Sequence, residues 1–292
     1  MAEKPPVILT IAGFDPSSGA GISADVKTIA AHGCYGVACI TALTVQSTSG
    51  VRRVEPVDPA LIRDTLEELD ADLEIAAVHI GMLGSAKAVK AVADFLEAAD
   101  QKTGNTSSKR GTARLSNIVL DPILKSSSGA DLLDSAGTRL LIERLIPVAD
   151  VITPNTAEAS ALTALRVNDL ETMREAAAKL HQMGAAAVVI TGGDLEKAID
   201  LLSYRSSKGT QQEVFKAERQ RSTSTHGTGC AFATSMACHL GLDRGLAEAT
   251  LLAKTYVGAA IANAQMLGKG TGPVHHLYRM TQQRRATSTS GE

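Results

Sequence analysis

Apolar positions along this chain fall into short β-branched runs that alternate with longer stretches of helical spacing. Val7-Ile8-Leu9-Thr10-Ile11-Ala12 is the first run, and it ends on Gly13-Phe14-Asp15-Pro16-Ser17-Ser18-Gly19-Ala20-Gly21 before a helical pattern from Ile22 to about His32. Strand, glycine loop and helix open a βα unit. Val37 to Thr44 predicts a second strand, followed by the polar turn Gln46-Ser47-Thr48-Ser49-Gly50. From Pro59 to Leu73, the positions Leu61, Ile62, Leu66, Leu69 and Leu73 recur at helical spacing, with Asp64, Glu67, Glu68 and Asp70 on the wet face. Ala76 to Ile80 predicts a buried strand, Gly81-Met82-Leu83-Gly84 a turn, and Ala86 to Ala99 a helix.

The alternation lapses between Gln101 and Ser116, where Thr, Ser, Gly, Lys and Arg predominate, and this stretch reads as a flexible surface insertion. It resumes with the strand Ile118-Val119-Leu120, a helix from Leu132 to Leu145, the strand Val151-Ile152-Thr153 and a helix begun by Pro154-Asn155-Thr156-Ala157-Glu158. A helix over Leu170–Met183 and a strand over Ala186–Ile190 lead to Thr191-Gly192-Gly193, and Ile199–Tyr204 and the residues around Val214-Phe215 predict paired strands near an edge. An Ala-rich helix spans Leu246 to Ala264, and the polar tail from Thr281 is expected to be disordered. Repeated strand–helix units predict a three-layer α/β/α sandwich with a mainly parallel central sheet. No linker interrupts them, so residues 1–280 are read as one domain, followed by the tail 281–292.

Composition narrows the class of partner. The 29 basic and 31 acidic side chains nearly cancel, and there is no Trp, so neither nucleic acid nor an anionic membrane is the expected partner. Cys34, Cys39, Cys230 and Cys238 contain no C-x-x-C pair, which removes the usual zinc and disulfide patterns and suits the reduced cytoplasm. No signal-peptide pattern or membrane-length apolar run is found.

Candidate chemistry concentrates in Ser224-Thr225-His226-Gly227-Thr228-Gly229-Cys230, followed by small apolar residues of helical character. A glycine-bracketed helix start offers unpaired N–H donors and the positive end of the dipole, a place for an anion such as phosphate. Cys230 at that start is expected to ionise more readily than a free thiol; a turn capping a core helix is the plainer reading. The first glycine loop lacks the Gly-Lys-Ser/Thr of a Walker A motif, and its spacing does not suit a dinucleotide. Asp25 reads either as an exposed carboxylate near a helix start or as a ligand, Gln46 as a loop amide, and Met82 as a strand-end residue. Asp121 closes a buried strand, and Asn155 and Glu158, three apart, share one face of a first helical turn. That spacing suits a capping box or a shared Mg²⁺–water cluster.

Seven ordered motifs carry a resemblance. They are Thr10-Ile11-Ala12-Gly13-x-Asp15-Pro16-Ser17-x-Gly19-Ala20-Gly21-Ile22-x-Ala24-Asp25, Ile40-Thr41-Ala42-Leu43-Thr44-Val45-Gln46-x-Thr48, Ile80-Gly81-Met82-Leu83, Leu120-Asp121-Pro122, Ile152-Thr153-Pro154-Asn155-x-x-Glu158-Ala159, Thr225 to Cys230, and Gly272-Pro273-Val274-His275-His276. With these the chain resembles the hydroxymethylpyrimidine/phosphomethylpyrimidine kinases of thiamine biosynthesis, within the ribokinase-like superfamily. The resemblance implies ATP- and Mg²⁺-dependent phosphorylation of a hydroxymethylpyrimidine and then of its monophosphate, in a cytoplasmic homodimer. It implies that Gly13, Asp25, Gln46 and Met82 form the pyrimidine pocket and that Asp121, Asn155 and Glu158 organise Mg²⁺ near the phosphates. Thr191, Gly193 and Thr225 would meet the nucleotide. Gly227, Thr228 and Gly229 would form the anion hole, with Cys230 where sugar kinases of the superfamily carry an aspartate base.

The chain departs from that pattern at two phosphate-side lysines, where it has Thr191 and Ser127; Lys125, nearby in sequence, is a candidate replacement charge. Ser224 stands where Asn or Asp is common, a minor change. The competing readings are a pyridoxal or pyridoxine kinase of the same superfamily, and a pyrimidine-binding sensor without catalysis, to which the absent lysines point.

Overall fold

A computed structural model describes residues 4–102, 115–193, 195, 198–218, 220 and 222–280. The tail 281–292 and residues 103–114 of the expected insertion lie outside the described residues. In chain order the elements are β1 (Val7–Phe14), α1 (Gly21–Ala31), β2 (Tyr35–Ser47), β3 (Gly50–Pro56), α2 (Pro59–Asp72), β4 (Ile75–Ile80), α3 (Ala86–Lys102), β5 (Ile118–Leu120) and α4 (Ser135–Leu140). They continue with β6 (Val151–Ile152), α5 (Thr156–Thr163), α6 (Leu170–Gln182), β7 (Ala187–Gly192), β8 (Ala198–Ser206), β9 (Gly209–Ala217), α7 (Thr228–Gly241) and α8 (Leu246–Ala262).

Among the described residues nine strands form one sheet in the order β3-β2-β1-β4-β5-β6-β7-β8-β9. Neighbours from β2 to β7 run parallel, while β3 at one edge and β8 and β9 at the other are antiparallel. Parallel strands are buried on both faces, which explains their continuous apolar runs. Successive residues feed two separate cores. Leu9, Ile11, Val78, Ile80, Ile118, Leu120, Ile152, Val188 and Ile190 pack with residues of α2, α3, α5 and α6. Their neighbours Ile8, Ala77, Val119, Val151, Ala187 and Val189 pack with residues of α1, α7 and α8. The three-layer sandwich follows from this period-two alternation.

Helix starts follow local chemistry. Asp58 accepts from the Ala60 N–H at 2.7 Å, with Pro59 beginning α2, and α5 and α6 each open with a capping box. The helix expected from Leu132 begins instead at Ser135, because the Asp134 side chain caps it by accepting from Gly137 N–H at 2.6 Å; the helix then widens into a π-type turn over Leu141–Leu145. β1 pairs with β2 on one side and β4 on the other, so the chain reverses its direction of travel across the sheet there. Such a reversal leaves a crevice at the carboxyl ends of the strands, where open α/β sheets hold their ligands.

Candidate active site

The carboxyl end of each central strand delivers one or two candidate residues to that crevice. β1 supplies Gly13, and a Cβ at Gly13 would stand 3.0 Å from Met82 Sδ, just beyond β4. Asp121 follows β5, Asn155 and Glu158 follow β6, and Thr191 and Gly193 lie at the end of β7, where Asn155 and Thr191 form a parallel bridge. On the other strand of the reversal, Gln46 ends β2 beside His226, and a narrow cleft is lined by Gln46, Ser47, Thr48, Ser127, His226 and Thr271.

The start of α7 faces this row. Gly227 precedes the helix with φ +82, and no side chain caps the end. A Cβ there would fall 1.8 Å from the Gly19 carbonyl oxygen, so only glycine fits. A Cβ at Gly229 would lie 3.7 Å from Asp121 Oδ2, which places that carboxylate against the helix start. The Thr228 N–H turns back to the Thr225 carbonyl at 3.3 Å, and Thr225 is exposed at the rim. An uncapped helix start with its dipole is suited to an anion.

Electrostatics inside the site are unfavourable without a cation. Burial pushes the Asp121 carboxyl well above the usual range, and the charges of Glu158 and Asp25 raise it further. Its Oδ2 is buried without a hydrogen-bond partner. Glu158 is pushed up to about 7 by burial, against the opposing hydrogen bonds of Asn155. The two residues form the capping box outright: Asn155 N–H donates to Glu158 Oε2 at 2.9 Å and Glu158 N–H donates to Asn155 Oδ1 at 2.9 Å. Among the described residues no group of three or more His, Cys, Asp or Glu side chains is arranged to hold a metal. Two carboxylates and an amide oxygen with a spare lone pair suit Mg²⁺, which keeps several of its waters, and the orphaned Asp121 oxygen is what such an ion would satisfy.

Glu158 gives a pH prediction. Its folded-state value lies above its unfolded one, so the stability it contributes is full below about 4.5 and is lost as pH rises to about 7. Without metal, the wild-type protein should therefore lose melting temperature relative to Glu158→Gln between pH 5 and pH 8; a constant difference across that range contradicts the burial of this charge.

Two expectations are corrected. Cys230 does not ionise more readily: burial and the charges of Asp121, Asp25 and Glu158 push its thiol well above the usual range, outweighing a backbone hydrogen bond from Gly21. Asp25 is not an exposed helix carboxylate. It is wholly buried, with Oδ2 accepting from Thr10 Oγ1 at 2.8 Å and Oδ1 from Thr234 Oγ1 at 2.9 Å. His79 Nδ1 lies 3.4 Å from Asp25 Oδ2 and within 3.2 and 3.3 Å of the same two hydroxyls. Both hydroxyl protons are already given to Asp25, so all three neighbours accept and Nδ1 carries the proton. Asp25 thus ties α1, β1, β4 and α7 together behind the uncapped start of α7.

Neither Lys125 nor Lys254 stands in for the missing lysines. Lys125 pairs with Asp131 at 3.1 Å on the surface, and Lys254 with Asp200 at 2.7 Å, whose Oδ1 also takes the Gly192 N–H. Ser127 Oγ instead lies 3.1 Å from His226 Nδ1. Asp15 and His226 were not singled out from the sequence as site residues, although both stand inside the motifs. Burial raises the Asp15 carboxyl, but hydrogen bonds from His226 and Ser17 outweigh it and hold it below the usual carboxylate range.

Comparison with known proteins agrees with this geometry. The family model described as phosphomethylpyrimidine kinase matches residues 15–275. The thiamine biosynthesis bifunctional protein ThiED of Geobacter sulfurreducens is 40% identical over 272 residues, covering 92% of this chain but only 52% of that protein, so the chain spans about half its length. The hydroxymethylpyrimidine/phosphomethylpyrimidine kinase of Haemophilus influenzae is 37% identical, covering 92% of this chain and 96% of that one. Among solved structures, Bacillus subtilis pyridoxal kinase in complex with ADP superposes with a TM-score of 0.81 at 32% identity, over 95% of this chain and all of that one. Among the described residues no helix is long and apolar enough to cross a membrane. Matched along nearly its whole length, the chain belongs to the phosphomethylpyrimidine kinase family and is a phosphotransferase of the ribokinase-like superfamily.

Proposed function

We propose that this kinase transfers the γ-phosphoryl group of ATP to 4-amino-5-hydroxymethyl-2-methylpyrimidine and then to the resulting monophosphate. The observation that carries the reading is the uncapped start of α7, set against Asp121 at the crevice of the sheet reversal. Gly13, Gln46 and Met82 line the pyrimidine pocket, and Asp25 holds α7 from behind. Thr191, Gly193 and Thr225 flank the nucleotide. Gly227, Thr228 and Gly229 receive the phosphoryl oxygens on backbone N–H groups that need no reorganisation during the reaction. Asp121, Glu158 and Asn155 would hold Mg²⁺, which when bound neutralises charge on the phosphate oxygens.

Phosphoryl transfer through a loose transition state asks for alignment and charge neutralisation more than for a strong base. Cys230 suits that demand. Its thiol keeps its proton among carboxylates, so it orients the substrate hydroxyl and does not deprotonate it.

A second reading, phosphorylation of pyridoxal, is favoured by the close superposition on a pyridoxal kinase. Steady-state kinetics with Mg-ATP separate the two. The pyrimidine should exceed pyridoxal in kcat/KM by about tenfold or more, the scale of one well-placed hydrogen bond; the reverse order moves the assignment to pyridoxal.

A further inference from the structure

Gln46 lies between two polar neighbours. Thr44 Oγ1 is 3.2 Å from Gln46 Oε1, and His226 Nε2 is 3.3 Å from Gln46 Nε2. His226 is buried, and its Nε2 is 2.8 Å from Asp15 Oδ2. Asp15 accepts from the backbone N–H groups of Ser17, Gly19 and Ala20 and from the Ser17 hydroxyl. A carboxylate so surrounded is ionised and accepts only, so His226 Nε2 carries a proton and donates it to Asp15. Thr44 has one hydroxyl proton, and it goes to the Phe14 carbonyl at 3.0 Å. Toward Gln46 the threonine oxygen is therefore an acceptor.

Toward Gln46 the His226 ring thus presents an N–H whose proton is held by Asp15 and which has no lone pair to offer, while Thr44 presents an acceptor. An amide NH2 facing that N–H would set two donors against each other with no acceptor between them, so the amide oxygen turns toward His226 and the amide nitrogen toward Thr44, a 180° turn that exchanges two atoms of nearly identical shape. We propose that the Asp15–His226 pair, together with Thr44, fixes the Gln46 amide in this orientation and so sets which way round an aminopyrimidine edge is read. The inference rests on the pyrimidine reading given above. One N–H and one oxygen lone pair of Gln46 remain for a ligand. They match a ring nitrogen beside an exocyclic amino group, as glutamine matches the N7/N6 edge of adenine. On this substrate the hydroxymethyl group sits on the carbon next to the one bearing the amino group. Reversing the amide would exchange the positions of ring nitrogen and amino group and swing the hydroxymethyl group to the other side. His226 is a positioning residue, acting through Gln46.

The test compares hydroxymethylpyrimidine with its analogue lacking the 4-amino group, in the wild-type protein, His226→Leu and Thr44→Val, with melting temperatures recorded alongside. The wild-type protein should favour the amino compound in kcat/KM by on the order of 100-fold or more. Each substitution should cut that preference by about tenfold or more, through KM for the amino compound, with KM for the analogue nearly unchanged. A purely structural role would weaken both compounds alike. If His226→Leu does not fold, because it adjoins Gly227, Thr44→Val decides alone. Folded variants that keep the wild-type preference overturn the proposal and leave the substrate assignment standing. Wild-type turnover of pyridoxal and of neither pyrimidine overturns both, and is seen before any variant is made.

Discussion

Gly227→Ala is expected to lower turnover by about 100-fold or more, the scale of losing one donor that meets a developing oxyanion. The reason is local. At φ +82 a side chain costs about 1–2 kcal/mol for the backbone conformation alone. The added Cβ would also stand 1.8 Å from the Gly19 carbonyl oxygen, a backbone atom that cannot rotate aside. Either the loop carrying Gly19 or the start of α7 must move. Both border the crevice, and Gly19 and Ala20 donate their N–H groups to Asp15, so the displacement reaches the Asp15–His226 pair as well. A lower melting temperature should accompany the loss. Phosphoryl-transfer rates at saturating ATP provide the check, and a variant within a few-fold of wild type would mean that this helix start does not face the transferring group.

Asp121→Asn should separate activity from stability. Turnover is expected to fall on the order of 1,000-fold, because a carboxylate that would hold the metal is replaced by a neutral amide. The fold should become more stable in the absence of metal, or at least no less so. Asp121 is a buried carboxyl raised by its surroundings, with one oxygen unpartnered and the charges of Glu158 and Asp25 close by. A neutral amide needs neither to be protonated nor to carry a buried charge at neutral pH, and its nitrogen supplies a donor among those carboxylates. Thermal unfolding in chelator and steady-state kinetics with Mg-ATP together check it. Retained turnover, or a large loss of stability, would show that the unpartnered oxygen is not kept for a cation.

Much of this was legible in the chain. Strands such as Val7–Phe14 and Ala187–Gly192 are apolar on successive residues because each feeds both cores, and that pattern predicts the layered fold without a partner in view. The Asn155–Glu158 spacing announced a helix start, and the structure forms that cap. Other features depend on residues far apart in sequence. The environment of Asp25 is made by Thr10, His79 and Thr234 from three other elements, so nothing beside Asp25 in the chain marks it as buried. The Asp15–His226 pair spans 211 positions. The raised thiol of Cys230 is not legible locally, because a helix dipole shows in a local pattern whereas three converging carboxylates do not.

The most direct measurement is the number of ADP molecules released per molecule of hydroxymethylpyrimidine by the purified protein with excess Mg-ATP, run beside a reaction with pyridoxal. Two ADP per pyrimidine, with the monophosphate also accepted as a starting substrate, is the predicted result and shows that Thr191 and Ser127 serve where lysines are usual. ADP release with pyridoxal alone, or no release with any of the three compounds, would contradict it.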